Sequence, residues 1–332
     1  MTSAPGPATR AADGAALPWL RPLGDTGRTV SAVTAGGSPL GGMPHLYGRD
    51  VSATEGTDTV TAVLHSAIRA IDTANGYSDG ESERRIGAAI AAAGGLPEDM
   101  TVMTKVDARG RDYSGERVRA SVDESRSRLG IDQLPMVHLH DPELHDFDDL
   151  TAPGGAVDAL VRLRESGVVE AIGLAGGRVQ VMARYLALGV FDALLVHNRW
   201  TLLDRSAGDL LAQAADQGLG LINAAVYGGG TLAAPTLLPG ATYGYRPAPP
   251  EVLRAVEGMR AACGRHGVDL ATAALQFSLR DARFATTVVG MSRPSRVAAT
   301  LNAAATPVAE ALWPELETLL PPPHAWLDAR PD

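Results

Sequence analysis

The sequence predicts a single closed (β/α)8 TIM barrel of the α/β class, on three observations. Short runs rich in Val, Ile and Leu alternate with longer helix-like segments from Thr29 to Ala303, the pattern of a parallel sheet with helices outside. Eight such units fit in roughly 300 residues, which suits closure into a barrel. The first strand-to-helix turn lacks G-x-G-x-x-G, the usual mark of the competing open doubly wound sheet.

Taken in order, Thr29–Gly37 (TVSAVTAGG) is the first core strand, and the Gly/Pro-rich SPLGGMPHLYGRDVS is a long loop. Apolar residues at helical spacing mark a helix over about Thr57–Arg69, and AIDT at Ala70–Thr73 is the second strand. Ser82–Ala93 is helical, with Glu83, Arg84 and Arg85 as its wet face. The third strand is Thr101–Val106 (TVMTKV), followed by a helix over about Glu116–Leu129. Leu134–His140 (LPMVHLH) is the fourth strand, and the helix Ala156–Ser166 stops at Gly167, a favoured helix terminator. The second half continues with strands at Val168–Leu174, Phe191–His197, Leu219–Val226 and Ala285–Gly290. Helices at Val179–Leu188, Ser206–Gln217, Pro250–Gly267 and Pro294–Ala303 separate or follow them, with an extra apolar helix near Leu270–Leu279. No internal duplication or composition break divides the chain.

Residues 21–320 are therefore read as one barrel domain, with residues 1–20, rich in Ala, Pro and Gly, as a disordered tail and 321–332 as a C-terminal tail. A composition of 45% hydrophobic and 20% charged residues is that of an ordinary soluble globular protein. The net charge of −9 argues against nucleic acid or an anionic membrane as the main partner. No run approaches the roughly 18–20 apolar residues of a membrane span, and the first twenty residues lack the pattern of a signal peptide. The single cysteine, Cys263, excludes an intramolecular disulfide, fits a reducing cytoplasm and is read as helix packing.

The third strand carries the chemistry. Of the 29 Lys+Arg residues, Lys105 is the only lysine. A chain otherwise built with arginine points to a need for an amine there, since a lysine amine is a compact charge whose pKa shifts readily on burial. In a barrel the active site lies at the C-terminal ends of the strands. Asp72 ends the second strand, with Tyr77 five residues on; Lys105 ends the third and His140 the fourth. Neighbouring strands lie about 4.8 Å apart, so these groups can meet. They form a proton-transfer device. Tyrosine, with an ordinary pKa near 10, is a poor acid at neutral pH. An adjacent ammonium stabilises the phenolate and lowers that value. An aspartate holds the lysine charged, and a histidine orients a substrate oxygen. Such a device suits hydride transfer to a carbonyl, or the reverse oxidation.

The residues also match a known family. IDTANGYSDGESERRIG, VMTKV, VHLHDP, GVVEAIGLAG, RWTLLDRS and VVGMSRPSRV, in that order after PLGDTGRTVSAVTAGGSPLG, make the chain resemble the aldo-keto reductases over about Arg21–Ala305. The resemblance implies a (β/α)8 barrel that binds a nicotinamide dinucleotide without a Rossmann domain, acting on a small carbonyl or sugar. It implies Tyr77 as general acid/base, Lys105 as its pKa partner, Asp72 as the lysine's partner and His140 as substrate orienter. For the cofactor it implies Trp200 stacking on the nicotinamide and His197 in place of the usual carboxamide-holding glutamine. Ala175-Gly176 replaces the usual Ser-Asn pair. Val226, Tyr227, Gly228 and Gly230 match the pyrophosphate loop, and Gly290, Ser292, Arg293 and Arg296 the adenosine end. Ala299 and Thr300 replace the usual Glu-Asn pair against the adenine. The two arginines suit a 2′-phosphate, so NADP is expected, with NAD open. SPLG…LYGRDVS and RWTLLDRSA are similar to the aldose 1-dehydrogenase branch, although HNR stands before Trp200 where that branch has AGR; a general aldehyde or ketone reductase is the alternative. The loop His45–Asp50 offers Tyr47 to a small polar substrate.

Two readings compete. His138 and His140 form H-x-H on one strand face, as a metal-dependent barrel hydrolase would use, although later strand ends supply few further ligands; no metal is expected. A cofactor-sensing subunit without turnover is the other, since fold alone never proves catalysis.

Overall fold

The computed structural model describes residues 6–7, 9–12, 16–42, 44, 48–237, 240–244 and 246–329. Eight parallel strands close into a barrel: β1 (Val33–Gly36), β2 (Ala70–Asp72), β3 (Thr101–Val106), β4 (Leu134–His140), β5 (Val169–Gly176), β6 (Ala193–His197), β7 (Gly220–Ala224) and β8 (Phe284–Gly290). Every strand pairs with its sequence neighbours, and β8 pairs with β1 to complete the ring. The helices Ala53–Leu64, Glu81–Ala92, Gly115–Leu129, Ala156–Glu165, Val179–Leu186, Gly208–Asp216 and Pro294–Ala305 follow the successive strands, with Pro250–Arg265 and Leu270–Leu279 between β7 and β8.

The period-two alternation of a strand sorts its side chains. Ala70, Met103, Met136, Ala171, Ala193, Leu195, Ile222 and Val288 fill the barrel interior. Ile71, Val102, Val137, Leu139, Ile172, Leu174, Leu194 and Leu221 face outward and pack under the helices. The same alternation continues Met103 into Lys105 and Met136 into His138 and His140. The inward polar residues therefore stack towards the C-terminal rim.

Four sequence expectations change. The run Thr29–Gly37 is two strands. Thr29–Ser31 pairs antiparallel with Leu20–Pro22, and only Val33–Gly36 joins the barrel. Leu23 and Val30 belong to the interior cluster, so this hairpin closes the N-terminal end of the barrel. Residues 1–20 are not wholly a loose tail. Thr9–Arg10 pairs with Ala16–Leu17, and buried Arg21 donates to Thr9 Oγ1 at 3.1 Å. Trp19 Nε1 donates to the Ala67 carbonyl at 2.8 Å. The C-terminal segment is also docked. Asp328 accepts from Val179 N–H at 2.7 Å and Arg199 Nε at 3.0 Å, and Leu327 N–H donates to Asp204 at 2.8 Å. Finally, only Arg84 of the expected wet face is exposed. Glu83 is 0% exposed, accepts from Thr104 Oγ1 at 2.7 Å and faces Arg128 at 3.1 Å. Burial pushes its carboxyl pKa up, against those bonds. Arg85 turns inward to the carbonyls of Leu40 and Val51.

Candidate active site

At the C-terminal rim lies a cavity of about 870 Å³ lined by Asp72, Tyr77, Lys105 and His140. Strand register sets the first contacts. Asp72 pairs with Met103, so Lys105 extends two residues past it and its stem lies beside the Asp72 carboxylate. The ammonium donates to both Asp72 oxygens at 2.8 Å, to the Thr73 carbonyl at 2.8 Å and to Tyr77 Oη at 3.3 Å. Lys105 and Asp72 are buried, with side-chain exposures of 2% and 5%. A buried charge needs this full complement of partners.

Tyr77 comes from a loop clamped along the end of β3. Thr73 N–H donates to the Met103 carbonyl at 2.8 Å, Asn75 N–H to the Lys105 carbonyl at 3.0 Å, and Gly76 N–H to Asp107 Oδ2 at 2.6 Å. Ser78 and Asp79 then take left-handed conformations (φ 50° and 52°), turning the chain into the next helix. The His140 ring meets the Tyr77 ring edge-on with centroids 5.6 Å apart. Its backbone is fixed by Tyr113, whose hydroxyl accepts from His140 N–H at 2.9 Å and donates to the Val106 carbonyl at 2.7 Å.

His140 stands between two carboxylates. Nδ1 is 2.7 Å from Asp107 Oδ1 and Nε2 is 3.7 Å from Asp141 Oδ2. Burial disfavours its charge, but Asp107 and Asp141 outweigh burial and lift its pKa above the usual histidine value. Burial likewise opposes ionisation of Asp107 and Asp141, yet the neighbouring His140 helps hold both below the ordinary carboxylate range. Asp141 has φ 41° and also faces His197 Nε2 at 3.6 Å. Neither aspartate was singled out in the sequence; the positions of Asp107 two residues after Lys105 and Asp141 directly after His140 were the available signals.

Of the residues assigned to a cofactor, His197, Val226, Tyr227, Gly230, Gly290, Ser292 and Arg296 line the same cavity. Burial pushes the Tyr227 hydroxyl up to about 12, so it stays a neutral hydrogen-bonding group. Three residues lie elsewhere. Trp200 packs in the outer wall, its ring 6.2 Å from Phe277 and beneath the guanidinium of Arg283 at 4.7 Å. The left-handed turn at Asn198 (φ 62°) lies between it and the end of β6, so the stacking role assigned to Trp200 is corrected. Gly228 turns towards Tyr243, whose ring would lie 2.7 Å from an added Cβ. Arg293, the residue preceding the helix Pro294–Ala305, is exposed. Tyr47 and His45 lie outside the described residues.

The H-x-H pair does not form a ligand set with a third group among the described residues. His138 is 0% exposed, its Nδ1 3.3 Å from the Thr104 carbonyl, and burial lowers its pKa to about 3. Among the described residues, the set of three side chains whose ligand-type atoms all lie within 4.8 Å of one another is Asp141, Glu143 and His197.

The family model "Aldo/keto reductase family" matches residues 34–320. The chain belongs to the aldo/keto reductase family. It is accordingly an NAD(P)-dependent oxidoreductase. It is 32% identical over 319 residues to a D-threo-aldose 1-dehydrogenase of Pseudomonas sp, covering 88% of this chain and 96% of the relative. It is 32% identical over 305 residues to the L-galactose dehydrogenase of Arabidopsis thaliana, covering 90% and 92%. The holo form of an aldo-keto reductase from Bacillus halodurans superposes with a TM-score of 0.77 at 23% identity, covering 94% of this chain and 99% of that one. That likeness shows the barrel fold. Among the described residues no helix is long and apolar enough to cross a membrane.

Proposed function

We propose that this reductase-family enzyme is an aldose 1-dehydrogenase. It removes hydride from C1 of a cyclic sugar hemiacetal to give the lactone, the reduced nucleotide and a proton. The observation that carries the chemistry is the Asp72–Lys105–Tyr77 contact beside His140 in one cavity. The sugar class rests on the two dehydrogenase relatives, each aligned over most of its length.

The lining of the cavity suits a dinucleotide: it includes Tyr77 and Lys105, Ser292 and Arg296, and Gly229 and Gly230, where an added Cβ would meet nothing within 4 Å. When bound there, the nicotinamide accepts or supplies the hydride. Lys105 stabilises the Tyr77 phenolate, so Tyr77 can take the C1 hydroxyl proton during oxidation and return it during reduction. Asp72 holds the ammonium in place, and His140 orients the substrate oxygen. Arg296 is the arginine lining the cavity, and a guanidinium matches a phosphate dianion well, which supports NADP over NAD. The lone buried Cys263 accords with a cytoplasmic setting.

The test is a substrate panel of free aldoses, simple aldehydes and ketones, assayed with NADP and NAD in both directions. Lactone formation from an aldose, with kcat/KM exceeding that for simple carbonyl reduction, supports the reading. Efficient aldehyde reduction with no aldose oxidation would replace it with a carbonyl reductase.

A further inference from the structure

Asp107 lies just past the end of β3, outside the four residues assigned to proton transfer, and bonds to two of the segments that carry them. Its Oδ1 faces His140 Nδ1 at 2.7 Å, and its Oδ2 accepts from Gly76 N–H at 2.6 Å. Gly76 immediately precedes Tyr77. A Cβ at Gly76 would stand 2.9 Å from the Asp107 carboxyl carbon, so glycine is what lets the loop come this close. We propose that Asp107 is a positioning residue that fixes the His140 ring in one orientation and ties it to the Tyr77 loop. The two proton-handling side chains are then held as one unit. The proposal rests on the oxidoreductase reading above.

The hydrogen-bond chemistry sets the direction. A carboxylate only accepts, so the 2.7 Å contact requires the proton on His140 Nδ1. That leaves Nε2 on the side of the cavity-lining Asp141. A histidine nitrogen's role is set by the bond the other nitrogen makes. The ring cannot flip without breaking the Asp107 contact, and the Tyr77 loop cannot shift without breaking the Gly76 contact.

The charges around His140 come from several elements. Asp107 follows β3, Lys105 lies on β3 itself, and Tyr77 reaches over from its loop. Asp141 follows His140 on its own strand and is backed by His197 of β6; neutral His138 lies two residues back. Lys105 opposes the imidazolium and the two aspartates favour it. Removing one aspartate therefore moves the balance towards neutral imidazole. The amide of Asp107→Asn keeps the size and can still accept from Gly76, but it withdraws the charge.

The first test needs no variant. In the ¹⁵N-histidine-labelled full chain, with and without saturating NADP⁺, NMR should show His140 protonated at Nδ1 at every pH in the folded range. A neutral His140 with bare Nδ1 would overturn the proposal. In Asp107→Asn the His140 pKa should fall as the carboxylate charge is lost, and the matching limb of the pH–kcat profile should move with it. Turnover should drop about 10–100-fold, part of what acid–base catalysis is worth, with the NADP dissociation constant within twofold of the parent. Asp107→Glu should restore part of the His140 shift. In a His140→Gln background Asp107→Asn should cost less than twofold. An unmoved His140 titration, or an equal loss in the His140→Gln background, would overturn it. A parent protein that binds neither NADP(H) nor NAD(H) would instead remove the oxidoreductase reading, leaving the His140 titration as a separate result.

Discussion

Replacing Lys105 with methionine keeps most of the buried stem and removes the charge. The ammonium currently donates to Asp72, Thr73 and Tyr77, so the variant strands the Asp72 carboxylate with 5% exposure. Breaking a buried ion pair from one side costs about 3–5 kcal/mol, because the remaining charge is left desolvated. Urea unfolding at pH 8 should therefore show Lys105→Met weakened by about 3–5 kcal/mol. Asp72→Asn added to Lys105→Met removes the stranded charge and should recover much of the loss. Turnover should fall by about 10²–10⁴ in both, since neither keeps the cation beside the phenol. A single variant within about 1 kcal/mol of the parent at pH 8, or a double variant no better than the single, would refute the buried-pair reasoning.

Three further outcomes follow from the geometry. Tyr77→Phe should lose about 10²–10⁴ in turnover while its nucleotide dissociation constant, measured calorimetrically, stays within twofold; near-normal turnover would remove Tyr77 from the chemistry. Trp200→Leu should destabilise by about 1–2 kcal/mol, less than a fully buried aromatic would cost, with nucleotide affinity unchanged; a tenfold weaker Kd would return Trp200 to the site. His138, buried neutral with its pKa lowered to about 3, must gain a proton on unfolding below the ordinary value near 6.5. Stability should thus decline as pH falls from about 6.5 towards 3, by up to about 1.4 kcal/mol per unit from this residue. His138→Gln should flatten that acid limb in chemical denaturation, and an unchanged slope would contradict it.

Much of this was legible in the sequence because barrel strands are buried on both faces and read as apolar runs. Thr101–Val106 and Leu134–His140 have the bounds expected, and their inward alternation brings Lys105 and His140 to the rim. What was hidden depends on contacts that one strand or helix cannot report. The TVSAVTAGG run reads as one strand, since nothing local says that Ala32 is where pairing switches from a hairpin to the barrel. Glu83 looks like a wet-face charge until Arg128 and Thr104, distant in sequence, are seen to cover it. Trp200 sits in a motif that matches, but its direction depends on the turn at Asn198. Asp107 and Asp141 were passed over because their partner, His140, sits between them only once β3 and β4 are side by side.

Hydride transfer from a sugar C1, with Tyr77 taking the hydroxyl proton, is tested most directly by single-turnover oxidation of a C1-deuterated aldose, with reduced-nucleotide formation followed optically and the label by mass spectrometry. Deuterium should appear in the nicotinamide, with a lactone product, a primary isotope effect on the fast phase, and loss of that phase in Tyr77→Phe. Deuterium lost to solvent, or a Tyr77→Phe trace matching the parent, would contradict it.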